Sequence, residues 1–184
     1  MITRRFPKPY SDVVARLRVP AGFLLLAAFA WFSAPTPGSL AVGVPVSFCG
    51  LALRAWAAGH LAKNQQLATE GPYAFTRNPL YLGTLLVAAG LAIASRSPAL
   101  ALLFAAVFAL VYLPVIALEE QHLSALFPPY RDYANRVPLL IPGWPRRSTG
   151  TERFRLALYI KNQEYQALAG FLAGTALLAW KAWR

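Results

Sequence analysis

The chain has 184 residues, 57% of them hydrophobic and only 14% charged, and its 18 Lys and Arg against 7 Asp and Glu give a formal charge of +11. Mean hydropathy is +0.44. A soluble domain carries about a quarter charged residues, so this balance excludes a disordered tail, a secreted disulfide scaffold and an ordinary cytosolic enzyme. Nucleic-acid binding is also disfavoured, because the charge sits in blocks between long apolar runs. A small basic membrane protein remains, with one cysteine, Cys49, that has no internal disulfide partner.

No charge interrupts the chain between Arg18 and Arg54. The Pro35-Thr36-Pro37-Gly38 cluster divides this run, since Pro removes a helical donor and Gly loosens the backbone. Two spans are therefore predicted, at 20–34 and 39–59, against the roughly 20 apolar residues a bilayer requires. Phe32 and Pro35 make a poor cleavage site, so the first span is expected to remain in the protein. Uncharged runs between Arg77 and Arg96, and between Arg96 and Glu119, predict spans at 79–95 and 97–118. A fifth, at 165–180, is short unless Trp180 and Trp183 anchor it at the interface. The expectation is an all-α polytopic membrane protein of about five transmembrane helices, forming a single membrane domain over 1–184.

Basic residues in the connections set the orientation. The N-terminal segment holds Arg4, Arg5, Lys8, Arg16 and Arg18, the 60–78 connection holds Lys63 and Arg77, and the stretch after the fourth span holds seven more from Arg131 to Lys161. The opposite side has only Arg96, Lys181 and Arg184. The N terminus and the long connections are thus expected to be cytoplasmic, in a bacterial or archaeal inner membrane or an endomembrane, and the surplus charge also suits anionic headgroups.

Within the spans the clear ionisable residue is Arg54, placed to snorkel, so a pore lined by charges is not indicated. The informative polarity lies at the cytoplasmic mouths of spans three and four. The first cluster runs Glu70-Gly71-Pro72-Tyr73-Ala74-Phe75-Thr76-Arg77-Asn78-Pro79-Leu80-Tyr81-Leu82-Gly83. Asn78 suits an N-cap and Pro79 the first helical position. A helix start presents free N–H groups to a carboxylate or phosphate, and Arg77 beside it adds a fixed cation. The same residues also fit an interfacial anchor that merely opens a helix. The second cluster is Glu119-Glu120-Gln121-His122, followed by Tyr130, Tyr133 and the run Val137 to Pro142. Carboxylates near a helix C-terminus oppose the macrodipole, which calls for a cationic partner: Arg77, Arg131 or a ligand ammonium. Glu119 and His122 are three apart, but with His60 the only other histidine no metal site is expected. Gly170 and Gly174 mark close helix packing, within the chain or across a homodimer. Lys161 to Tyr165 is polar enough to face the same cytoplasmic site.

Taken in order, Gly71-Pro72-Tyr73, then Arg77-x-Pro79-x-Tyr81-x-Gly83, then Glu119-Glu120-x-x-Leu123-x-x-x-Phe127-x-x-Tyr130-x-x-Tyr133 and Val137-Pro138-x-x-Ile141-Pro142 resemble the integral-membrane methyltransferases. These comprise the isoprenylcysteine carboxyl methyltransferases and their phospholipid N-methyltransferase relatives. The resemblance covers 71–142. It departs at Asn78, where the family more often has His, and at Pro128-Pro129, where Phe-Gly is commoner. The resemblance implies S-adenosyl-L-methionine as cofactor, a cytoplasm-facing pocket formed by the ends of helices 3 and 4 and the segment after helix 4, and a lipid or lipidated acceptor reached through the bilayer. It implies cofactor contacts from Gly71, Tyr73, Thr76, Arg77, Asn78, Pro79, Tyr81, Leu82, Glu119, Glu120, Tyr130 and Tyr133, with Arg77 and Glu120 catalytic. The cofactor carboxylate would sit at Asn78-Pro79 with Arg77, its ammonium at Glu119 or Glu120, and tyrosine faces would meet adenine or sulfonium. Two other readings are an NADPH-dependent membrane reductase of the sterol-reductase type and a non-enzymatic scaffold.

Overall fold

In the computed structural model, residues 13, 24–25, 27–144 and 153–184 are described. Among them the protein is all-helical, with no strand. After helical residues at 27–32, α1 spans Pro37–Ala58, α2 Pro79–Ser95 and α3 Pro98–Leu126. Short helices α4 (Tyr130–Arg136) and α5 (Leu156–Lys161) precede α6 (Tyr165–Ala182).

Local chemistry explains the boundaries. Thr36 and Ser39 form a capping box, with Thr36 Oγ1 accepting from the Ser39 amide at 3.2 Å and Ser39 Oγ accepting from the Thr36 amide at 2.9 Å. Pro37, Pro79 and Pro98 each take the first helical position, where their missing N–H costs nothing. Arg96, with φ 53°, turns the chain left-handed and ends α2. Inside α3 the stretch Phe108–Tyr112 widens into a π-helical turn. It lies directly before Pro114, which cannot join the helical ladder.

α1 and α2 pack antiparallel at backbone distance. A Cβ on Gly43 would collide with the Gly90 carbonyl, and one on Gly50 would lie 2.6 Å from the Gly83 oxygen. Between these contacts Ser47 Oγ donates to the Val87 carbonyl at 2.9 Å. Small residues drive such contacts in lipid, where helices gain little from apolar burial alone. Gly170 and Gly174 meet open space instead, so the close glycine packing within the chain falls at α1–α2 and not on the last helix. Phe29, Leu40, Ala94, Leu100 and Leu178 form a core at the end where α1 begins, and Ala57, Ala68 and Tyr73 a second at the end where it finishes.

α1 and α3 are long and apolar enough to cross a membrane, and α2 is a shorter apolar helix. The expected bounds 39–59, 79–95 and 165–180 fall within a few residues of the helices α1, α2 and α6, although α6 is not among those long and apolar enough to cross. Of 20–34 all but 20–23 and 26 are described, helical at 24–25 and 27–32. The expected 97–118 is longer in the structure, because α3 continues through Glu119 and Glu120 to Leu126. Glu120 is paired with Arg77, so the helix has no need to end where its charges begin.

Candidate active site

A cavity of about 440 Å³ opens where α1 ends and α2 begins, within the roughly 300–1,000 Å³ of small-molecule sites. Tyr73 and Arg77 enter it from the 59–78 connection, Tyr81 from α2, Tyr112 and Glu119 from α3, and Tyr130 and Tyr133 from α4. Gly71, with φ 58°, begins the 3₁₀ turn Gly71–Ala74 that aims Tyr73 inward, and its bare Cα lies against the His60 ring. The π-helical turn carries Tyr112 to the cavity, where it meets Tyr81 edge-on at 6.0 Å between ring centroids. Five tyrosines thus share one wall system.

Arg77 and Glu120 form an ion pair at 2.8 Å, with side chains 15% and 5% exposed. The Tyr130 hydroxyl donates to the same Glu120 oxygen at 2.8 Å, and the Tyr133 hydroxyl donates to the Tyr73 carbonyl at 2.8 Å. Arg77 Nε is buried and makes no hydrogen bond. Burial pushes all three phenols well above their ordinary value, with Tyr133 adding to the effect at Tyr73 and Glu120 at Tyr130. At Tyr133 Arg77 opposes burial without cancelling it. All three therefore remain neutral donors.

A second ion pair closes the cavity from the far end of the chain. Arg54 grips Glu164 with two bonds, Nε to Oε2 at 2.9 Å and Nη2 to Oε1 at 2.8 Å, and its Nη1 donates to the Thr84 hydroxyl and to the Leu80 carbonyl at 3.3 Å. Asn162 Nδ2 donates to the carbonyls of Ala58 at 3.0 Å and Leu61 at 2.9 Å, capping the end of α1.

Of the residues singled out from the sequence, Tyr73, Arg77, Tyr81, Glu119, Tyr130 and Tyr133 line this cavity, whereas Gly71, Thr76, Asn78, Pro79, Leu82 and Glu120 do not. Glu120 stands behind Arg77 and Tyr130. Asn78 precedes α2 as expected but makes no side-chain cap; its Nδ2 donates to the Leu139 carbonyl at 3.0 Å, while Thr76 Oγ1 donates to Leu139 and Leu140 at 3.2 and 3.1 Å. Both side chains fasten the 137–144 segment instead of facing the cavity. Sequence reasoning gave no site role to Tyr112 and left Arg54 as a snorkelling residue, although an arginine in an apolar run was a usable signal. Among the described residues, no three His, Cys, Asp or Glu gather to hold a metal ion.

An all-helical membrane protein with a polar, tyrosine-walled cavity at one end of its helices is the class these features define. Residues 41–129 match the family model described as phospholipid methyltransferase. It is similar to the cobalt-zinc-cadmium resistance protein CzcN of Cupriavidus metallidurans, 38% identical over 103 residues covering 55% of this chain and 46% of that protein. It is also similar to the nickel-cobalt-cadmium resistance protein NccN of Alcaligenes xylosoxydans xylosoxydans, 37% identical over 114 residues, or 61% of this chain and 52% of the relative. The chain spans about half the length of these curated relatives. No solved structure matches it.

Proposed function

We infer that this protein transfers a methyl group from S-adenosyl-L-methionine to a membrane-associated acceptor, a prenylcysteine carboxylate, a phospholipid amine or a small hydrophobic nucleophile. The observation that carries this reading is the pairing, in one cavity, of Arg77 and Glu119 with five tyrosine rings. The cofactor is a zwitterion with a sulfonium, and the residues fit each part: the Arg77 guanidinium suits the carboxylate, Glu119 the ammonium, and the aromatic faces the sulfonium. When bound, the cofactor supplies a methyl already activated for attack, so the protein's task is alignment. Such positioning contributes up to about 7–11 kcal/mol in well-oriented cases. Glu120, itself held by the Tyr130 hydroxyl, holds Arg77 from behind. The reading takes five spans from the apolar runs, and the distribution of Lys and Arg favours the N terminus and cavity on the cytoplasmic side. Water-borne cofactor then enters from the cytoplasm and the acceptor from the bilayer.

Thermal unfolding in detergent, with and without S-adenosylhomocysteine, tests the reading. Binding to the native state alone stabilises by about 2.7 kcal/mol at a hundredfold excess over Kd. The expected result is an upward shift that Arg77→Ala and Glu120→Gln remove. No shift at millimolar ligand, or a shift with NADPH alone, overturns the cofactor; an equal shift in both variants overturns the site.

A further inference from the structure

All five tryptophans of the chain are exposed, and they fall at two levels. Trp31, Trp180 and Trp183 lie at the end where Lys181 Nζ donates to the carbonyls of Ala30 at 3.0 Å and Ser33 at 2.6 Å. Trp56 and Trp144 lie at the cavity end. There Trp56 packs on Phe75 with 6.4 Å between ring centroids, and the Gly143 amide, just before Trp144, donates to the Phe75 carbonyl at 2.9 Å. Between the levels runs α1, whose 22 residues rise about 33 Å at roughly 1.5 Å each, close to the hydrocarbon thickness of about 30 Å. Tryptophan collects at both faces of a bilayer, so the two levels mark its two interfaces.

Trp144 reaches this level on a strap, Val137-Pro138-Leu139-Leu140-Ile141-Pro142-Gly143-Trp144. Its backbone is pinned by Thr76 and Asn78, as described, and by the Arg77 amide, which donates to the Pro138 carbonyl at 2.9 Å. Its large side chains turn outward: Ile141 is 80% and Trp144 93% exposed, and Leu139 is exposed beside them. Immediately upstream α4 carries Arg131 and Arg136, both exposed, with Arg136 Nε donating to the Asp132 carbonyl at 3.1 Å and its terminal nitrogens left for other acceptors.

We propose that the 137–144 strap is an interfacial anchor on an anionic phospholipid bilayer. Leu139, Ile141 and Trp144 enter the boundary between headgroups and acyl chains, and Arg131 and Arg136 meet the phosphates. The occupant follows from continuity, since Trp56 and Phe75 join the strap to the outer face of a membrane-crossing helix, and from charge, since the flanking exposed groups are Arg131 and Arg136 against the single carboxylate Asp132. The pins are residues 76–78, so the lipid contact also seats the turn that carries Arg77.

The full chain in nanodiscs, wild type against Trp144→Phe, gives the test, because the difference in emission isolates Trp144. With lipids brominated high on the acyl chain, the Trp144 component is expected to be quenched, and more strongly in phosphatidylglycerol than in phosphatidylcholine. The excess is expected to vanish in Arg131→Gln/Arg136→Gln, whose folding circular dichroism checks. Quenching by aqueous iodide without quenching by brominated lipid overturns the anchor. Equal quenching in both lipids overturns the anionic contact. The readout needs no cofactor, so it stands or falls apart from methyl transfer.

Discussion

Arg77 and Glu120 are buried to different degrees, and that difference predicts an asymmetric cost when either is removed. In Arg77→Ala, Glu120 keeps only the Tyr130 hydroxyl, in a place 5% exposed. Breaking a buried ion pair from one side costs about 3–5 kcal/mol, and the open cavity beside Arg77, which admits solvent, lowers that to about 2–3. In Glu120→Gln, the charge left behind is Arg77, 15% exposed and bordering the cavity, so about 1–2 kcal/mol is expected. The double variant strands neither charge and is expected to cost less than the sum, with a coupling of about 1–3 kcal/mol. Titration with SDS in mixed micelles, followed by helicity and tryptophan emission, measures all four corners of the cycle. Costs that add within about 0.3–0.5 kcal/mol, or a larger loss from Glu120→Gln, refute the reasoning.

Gly50→Leu is expected to destabilise by about 1–3 kcal/mol or more, because its Cβ alone would stand 2.6 Å from the Gly83 oxygen; unfolding in detergent reads the loss. Asn162→Ala removes two hydrogen bonds to the end of α1 and is expected to cost about 1–3 kcal/mol, visible as faster proteolysis of the 153–164 segment. The raised phenols of Tyr73, Tyr130 and Tyr133 make stability depend on alkaline pH. Unfolded tyrosines release protons near pH 10 while these three retain theirs, so their contribution is complete below about pH 10 and is lost as pH climbs above it. Tyrosinate absorbance is expected to rise for these three only with unfolding, and a smooth rise in the folded protein would contradict that.

The start of α2 was legible because Asn78-Pro79 states it in local chemistry, whereas Thr36-Pro37 and Ser97-Pro98 open α1 and α3 within two residues of where the apolar runs alone placed them. The end of α3 was not: Glu119 looked like the edge of a span even though Arg77 stood among the cations expected to pair with the two carboxylates, and nothing nearby in sequence announces that a π-helical turn accommodates Pro114. Half of the candidate site was legible for the same reason. Tyr73, Arg77, Tyr81, Glu119, Tyr130 and Tyr133 stand beside turn and helix-end signals, and they line the cavity. Asn78 carried a strong capping signal, yet the Leu139 carbonyl competes for its side chain across 61 residues. Arg54 and Glu164 meet across 110 residues, which no local pattern encodes.

That last contact bears on how the protein is made. Tyr133 is the last of the cavity's tyrosines to leave the ribosome, and Glu164 follows 31 residues later. At about 5–20 residues per second this is an interval of about 2–6 s. During it the earlier helices are already delivered to the bilayer, but Arg54 has no Glu164 and the end of α1 has no Asn162. A nascent or truncated chain therefore holds an open vestibule in place of a walled cavity. Closure by Glu164 makes synthesis past that residue a condition for completion of the site.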